Sequence, residues 1–147
     1  MTLSSRFPVA VHILVALSYK SDGFVSSEAL ARSVSTNPVV VRRVIASLRT
    51  AGFVTSQSGV TGGARLARPA SEITLLDVYH AVSPGGLFRF HEPNLRCPIG
   101  RGIPNVLGRI LPGAETAMKE NLATFTIDRV AREVRRGFGG RTARSAS

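Results

Sequence analysis

The chain has 147 residues, of which 44% are hydrophobic, enough for one folded domain with an extension. Lysine and arginine number 19 against 9 acidic residues, and the formal net charge of +10 favours a polyanionic partner, nucleic acid before an anionic membrane. No run approaches the roughly 18 apolar residues of a membrane span, and the single cysteine, Cys97, excludes an internal disulfide. We expect a cytoplasmic protein that binds no membrane.

The N-terminal third predicts two helices. Residues 6–20 have apolar residues at helical spacing and end in a turn with glycine at 21–23. The apolar start resembles a weak secretion signal, but polar residues interrupt it and no cleavage site follows, so we interpret it as a helix of the fold. Ser26 or Ser27 can cap a second, short helix that ends near Val34.

A third helix is predicted to run to about Thr50. Asn37 is suited to its N-cap and Pro38 to its first position. Four apolar residues at helical spacing form its predicted buried stripe: Val41, Val44, Ile45 and Leu48. Three arginines fall outside that stripe: Arg42, Arg43 and Arg49.

A β-hairpin is predicted next. The segments 53–57 and 64–68 have β-type composition, the loop "SGVTGG" joins them, and Pro69 ends the second strand. Glycines in this loop would let the backbone approach phosphates closely, because no Cβ intervenes. The alternative is an ordinary turn that needs glycine for its dihedral angles.

The C-terminal half is predicted to be helical around a long loop. Thr74 and Asp77 have the spacing of a capping box at the start of a fourth helix. The chain thus divides into residues 1–83, a long loop at 84–104, helices over 105–136 and a tail at 137–147 that is predicted to be disordered.

Three helices followed by a hairpin is the order of a winged helix-turn-helix, in which the third helix enters the major groove. Residues 29–71 contain no acid, as expected of a surface that meets double-stranded DNA. Arg42 is the best candidate for a bidentate contact to guanine. The predicted contacts are Asn37, Val39, Arg42, Arg43 and Arg49 on the third helix, Gln57, Ser58, Gly59, Gly62, Gly63 and Arg65 in the wing, and Arg6 and Ser27 on the DNA backbone.

The run "NPVVVRRVIASLRTAGFVTSQSGVTGGARLARPASEITLLDVYHAV", followed by "CPIG", resembles the Rrf-two (Rrf2) family of bacterial winged-helix transcription regulators. That family includes the iron–sulfur-assembly regulator, the nitric-oxide-sensing repressor and the cysteine-metabolism repressor. The resemblance covers about residues 6–135. It implies a mainly α fold with a small β-hairpin and a long C-terminal dimerisation helix, acting as a homodimer on a pseudo-palindromic operator. On this resemblance, residues 1–83 are the DNA-binding domain, 84–104 the sensor or linker loop and 105–136 the dimerisation helices.

Two features depart from the family pattern. In the wing, Ser58 stands where the family carries arginine and Ala64 where it carries tyrosine, so minor-groove reading would fall to Gln57 or Arg65. In the sensor loop, members that bind a cluster have three cysteines, whereas this chain has only Cys97. Because a cluster needs four ligands, mostly thiolates, we expect no iron–sulfur cluster, no metal and no other cofactor.

Cys97 has two interpretations. It lies between Arg96 and Arg101 and before a predicted helix, and positive charge and a helix N-terminus both favour a reactive thiolate. It would then respond to an oxidant through a disulfide with its dimer mate or a small thiol. The alternative is a small apolar residue packed under the loop. A small-molecule effector in the same region is a further hypothesis.

The sequence thus predicts a sequence-specific transcriptional regulator, acting as a repressor. The alternative is a nucleic-acid-binding protein without sequence preference, such as an RNA-binding or architectural protein. We expect no enzyme, because the sequence contains no nucleophile–base pair, phosphate-loop lysine or metal motif.

Overall fold

The computed structural model describes residues 5–20 and 22–144. Three helices precede an antiparallel hairpin, and this is the predicted winged helix-turn-helix. The mainly α fold class with a small β-hairpin is confirmed. The elements are α1 Arg6–Ser18, α2 Ser27–Val34, α3 Pro38–Thr50, β1 Val54–Gln57, β2 Gly63–Leu66, a 3-10 turn Ala70–Glu72, α4 Leu75–Val82, α5 Pro98–Ala123 and α6 Ile127–Arg144.

Side-chain caps determine where α2 and α3 begin. Ser26, rather than Ser27, caps α2, since its Oγ accepts a hydrogen bond from the Ala29 amide at 3.1 Å. Asn37 caps α3 as predicted, with Oδ1 accepting from the Val39 amide at 2.8 Å. These caps satisfy amides that the helices themselves leave unbonded, and they set the turn that places α3 against α2.

The core lies between α1, α3, α4 and the start of α6. The predicted stripe of α3 is buried, while its arginines stay exposed. The largest fully buried side chains come from all of these elements and from the segments between them: Ile13, Leu14, Leu30, Leu48, Ile73, Ile127, Val41, Val44, Val54 and Val78.

The hairpin is joined to the segment that leads into α2. Val54 pairs with Leu66 and Gln57 with Gly63. Strand β2 therefore ends at Leu66, two residues before the end of the predicted segment 64–68. Val25 and Ala64 exchange two backbone hydrogen bonds, of 2.9 and 2.8 Å. The wing is therefore held beside the N-terminus of α2.

The predicted loop 84–104 is too long at its C-terminal end. Helix α5 begins at Pro98, with Cys97 as its N-cap residue, rather than at residue 105. Proline fits the first helical position, where no amide hydrogen is required, and its φ suits a helix. The density of proline and glycine predicts a loop here, yet α5 also continues through Pro104 and Pro112.

The prediction of a disordered tail is wrong for residues 137–144. Helix α6 extends to Arg144, so 137–144 are helical, and 145–147 lie outside the described residues. Ion pairs at i,i+4 spacing support this helix: Arg132 to Asp128 at 3.0 Å and Arg129 to Glu133 at 3.4 Å.

Helix α6 belongs to the core of the winged domain, although the sequence grouped it with dimerisation. Ile127 and Ala131 are buried, and the Tyr19 hydroxyl donates to the Ala131 carbonyl at 2.8 Å. The Ile127 amide also bonds the Ile73 carbonyl at 2.8 Å. In the described residues, α5 is by contrast a helix with no buried residue.

Candidate nucleic-acid interface

A groove of about 520 Å³ lies between the start of α2, the outer face of α3 and the hairpin. The α2 amides of Ser27 and Glu28 have no intrahelical carbonyl to bond, which makes this end of the helix electropositive. The groove brings together eight of the predicted DNA contacts: Ser27, Arg42, Arg49, Gln57, Ser58, Gly59, Gly62 and Gly63.

Arg42 forms an ion pair that the sequence pattern did not predict. Its Nη2 donates to Glu28 Oε1 at 2.6 Å, and both side chains are more than half exposed. Glu28 lies in the first turn of α2, where the helix dipole favours an acidic side chain. No local pattern in the sequence predicts this pair, because it depends on how α2 packs against α3.

Arg49 is held by the wing. Its Nη1 donates to Ser56 Oγ at 2.7 Å. Ser56 pairs with Ala64, whose side chain is fully buried, so both residues lie on the hairpin face directed at the helices. Side chains alternate between the two faces of a strand, so Ser56 could have been predicted to share the inward face of the buried Val54.

Two wing glycines make close contacts within the chain itself. A Cβ added at Gly62 would overlap the Gln57 carbonyl oxygen, and one added at Gly63 would overlap that of Val25. Gly63 also has a φ of +145°, which side chains rarely adopt. Both glycines are therefore required by the hairpin, whatever the wing contacts.

Arg65 lies on the other face of the hairpin. It pairs with Thr55, and its guanidinium stacks over the ring of Phe24, 4.8 Å from the centroid. Arg65 does not line the groove. The predicted wing contacts are therefore divided between two faces.

The remaining predicted contacts lie along α3 outside the groove. Asn37 and Val39 are exposed at its N-terminus, where the Asn37 side chain also serves as the cap. On the flank of α3, Arg6 donates to Ser47 Oγ at 3.1 Å, and that hydroxyl donates to the Arg43 carbonyl at 3.4 Å. Arg6 thus lies against the flank of α3, and the exposed Arg43 side chain belongs to the same helix outside the groove.

Cys97 is half-buried at the N-cap of α5. Its amide donates to the Asn94 carbonyl at 3.1 Å, and its carbonyl accepts from the Arg101 amide at 3.0 Å. Among the described residues, no group of three or more histidine, cysteine, aspartate or glutamate side chains is arranged to hold a metal ion.

Residues 3–133 match the family Rrf2, described as an iron-dependent transcriptional regulator. The chain belongs to the Rrf2 family. YwnA of Bacillus subtilis, which carries the name of an HTH-type transcriptional regulator, is 44% identical over 127 residues, 85% of this chain and 93% of YwnA. DNA-binding regulation of transcription is the general function of this Rrf2 protein's relatives.

Solved structures share the same fold. One, titled as a DNA binding protein, is 40% identical with a TM-score of 0.68 and covers 86% of this Rrf2 chain and 98% of its own. CymR, titled the global cysteine regulator of B. subtilis, is 21% identical with a TM-score of 0.67, covering 90% and 98%. IscR of T. potens is 21% identical with a TM-score of 0.68, covering 91% and 88%.

The iron in the family description does not suit the side chains of this Rrf2 chain. An iron–sulfur cluster needs four ligands that are mostly thiolates, and Cys97 is the only cysteine. Among the described residues, no group of three or more potential metal-ligating side chains includes it.

None of the described helices is both long and apolar enough to span a bilayer.

Proposed function

We propose that this chain is a sequence-specific transcriptional regulator that binds a pseudo-palindromic operator as a homodimer and represses transcription from it. The groove beside α3 carries the proposal, because two arginines, an open helix end and the wing meet there. We also propose that the protein acts in the cytoplasm, where bacterial DNA lies. Repression is the proposed mode, since a dimer across a promoter excludes polymerase by occupancy.

In this proposal, different elements contact different parts of the DNA. Helix α3 would lie in the major groove with Arg42 toward base edges. A DNA strand would pass along the groove, where the free amides at Ser27 and Glu28 and the Arg49 side chain favour phosphate oxygens. The exposed tip of the wing, at Val60, extends this contact surface.

Homodimerisation is supported by the exposed face of α5. Four large aliphatic side chains are exposed at spacings of four, three and four residues and so share one side of the helix. Leu107 and Leu111, in contrast, are half-buried on another side. A second copy of α5 is the occupant that a pseudo-palindromic operator requires. The exposed residues are Ile99, Ile103, Val106 and Ile110.

The regulatory signal is proposed to act near Cys97, where the DNA-reading domain joins α5. An oxidant that modifies the thiol, or a small molecule bound in this region, would change the relative position of two recognition helices. We propose no enzymatic activity and no resident cofactor for this chain.

Selection of duplexes from a randomised pool tests the proposal. The expected result is an enriched inverted repeat whose half-site centres lie about one helical turn, roughly 34–36 Å, or a multiple of it apart. Binding to the enriched duplex should exceed binding to a scrambled duplex of equal composition by at least about a thousandfold. Equal binding to both would support the alternative, a nucleic-acid-binding protein without sequence preference.

A further inference from the structure

An acidic side chain is unfavourable on a surface that meets phosphates. Glu28 is nevertheless the acidic residue among the described residues that line the groove, and residues 29–71 contain no other acid. Its carboxylate does not point away from the interface, since Oε1 accepts from Arg42 Nη2 at 2.6 Å. The acid and the predicted base-reading arginine form one unit.

The helix dipole explains only part of this arrangement. Glu28 follows Ser27 in the first turn of α2, where an acid is favoured. That preference does not require a contact with α3. The pair is more than half exposed on both sides, and exposed ion pairs contribute little to folding stability. An effect of the pair is therefore expected in DNA reading rather than in folding.

We propose that Glu28 is a specificity-determining residue that positions Arg42. The carboxylate holds one edge of the guanidinium, and the remaining N–H groups stay available for guanine O6 and N7. Its negative charge also repels phosphates, so Arg42 contributes less to binding of unrelated DNA. This inference rests on the proposed function, because it requires α3 to lie in the major groove.

Loss of the Glu28 charge should therefore change binding to two kinds of DNA in opposite directions. With E28Q, affinity for unrelated duplex rises, because a repulsive charge is removed from the phosphate surface. Affinity for the preferred duplex falls, because a neutral amide holds the Arg42 guanidinium less firmly than a carboxylate and more of its ordering must occur on binding. The ratio of the two affinities should fall about tenfold, the size of one lost base discrimination.

The experiment compares the full chain with E28Q, E28A, R42A and the double variant E28Q/R42A. Each is titrated with the duplex that wild-type protein enriches from a randomised pool and with a scrambled duplex of the same length. E72Q is the matched control, since Glu72 is exposed, lies outside the groove and changes the net charge equally. E28A also removes the acceptor, and its specificity loss should be at least that of E28Q.

Four results support the inference together. E28Q and E28A lower the affinity ratio, E72Q leaves it unchanged, base preference relaxes at the same operator position in E28Q and R42A, and E28Q has no further effect on the ratio in the R42A background. Thermal unfolding of each variant verifies that the fold is retained.

Other results overturn it. If E28Q and E72Q shift both affinities alike, Glu28 acts only through net charge. If E28Q lowers the ratio equally in the presence and absence of Arg42, it acts independently. An enriched operator with an unchanged ratio in E28Q removes this inference alone, whereas a wild-type chain that enriches no operator removes the proposed function as well.

Discussion

Arg42 and Arg49 extend from the same helix, and each guanidinium is held by a different neighbour. Arg42 bonds Glu28 of α2, while Arg49 bonds Ser56 of β1. If α3 binds DNA as proposed, both arginines should therefore lose less freedom on binding than an unrestrained side chain would. The two differ in position along α3: Arg42 lies in its N-terminal half, where the proposal places the base contact, and Arg49 lies beside the wing.

Arg42→Ala should reduce binding to the enriched duplex by about 1–3 kcal/mol and relax preference at one base position. The reason is the loss of a bidentate contact to guanine. Competition titrations with operators substituted at single positions provide the measurement. A loss of equal size on scrambled DNA would make Arg42 a phosphate contact.

Arg49→Ala should lower the slope of log K against log salt by about one unit, because one phosphate contact and its released counterion are lost. Arg65→Ala is the control: it removes the same charge from the opposite hairpin face, where the guanidinium stacks on Phe24. Its slope should stay near that of wild type. Salt titrations of both variants decide this, and a reduced slope for Arg65→Ala would show that DNA contacts that face as well.

At the scale of the element, the role of the hairpin glycines differs most between the sequence prediction and the structure. Its glycines suggested close approach of backbone to phosphates. The close approach that the structure shows is between parts of the chain, from Gly62 to Gln57 and from Gly63 to Val25. A bulky side chain at either position would therefore distort the wing itself, and a loss of DNA binding would not show that the glycine contacts DNA.

Gly63→Ala should destabilise the protein by more than about 1 kcal/mol, because the residue has a positive φ and the new Cβ overlaps a backbone carbonyl. Gly108→Ala is the matched control. Gly108 lies in α5 with no atom near an added Cβ, so alanine there should stabilise by about 0.5–1 kcal/mol. Denaturant unfolding measures both. A Gly63→Ala variant as stable as wild type would contradict the assigned clash.

At the scale of the whole molecule, the two C-terminal helices have separate roles. Helix α6 returns to the winged domain and buries Ile127 and Ala131, whereas α5 presents aliphatic side chains to solvent. Deletion of everything after Val82 would therefore remove part of the core together with α5. Dimerisation has to be tested by substitutions on α5 itself.

Val106→Glu should convert the proposed dimer into a monomer, because a charge would be placed in the centre of an apolar interface. Asn105→Glu adds the same charge to an exposed position about 100° away around the helix and should leave the dimer intact. Sedimentation at micromolar concentration measures both. Wild-type protein that sediments as a monomer would refute the proposed dimer.

Oxidant should change operator affinity through Cys97 if the thiol is the sensor. A coupling of about 1–3 kcal/mol is typical of such switches. The comparison is wild type and Cys97→Ser, each titrated with operator before and after treatment with peroxide. An equal response of the two proteins would make Cys97 a packing residue and direct the search to a small-molecule effector.

Local signals in the sequence were sufficient for most of the winged domain. The cap at Asn37, the apolar stripe of α3 and the capping box of Thr74 and Asp77 all depend on residues close together in the chain. These interactions are decided within one or two helical turns, so their spacing alone predicts them. The same signals failed at Pro98, where proline begins a helix instead of interrupting one.

Only the tertiary structure decided which charged groups meet. Glu28 and Arg42 pair because α2 packs against α3. Arg65 lies outside the groove because its side chain is on the face of β2 that contacts Phe24. Helix α6 likewise joins the core because its first residues pair with Ile73, far away in sequence. The sequence by itself determined the elements and their order. Which residues share a surface depends on packing between distant segments, and that was settled only when the helices and hairpin were placed together.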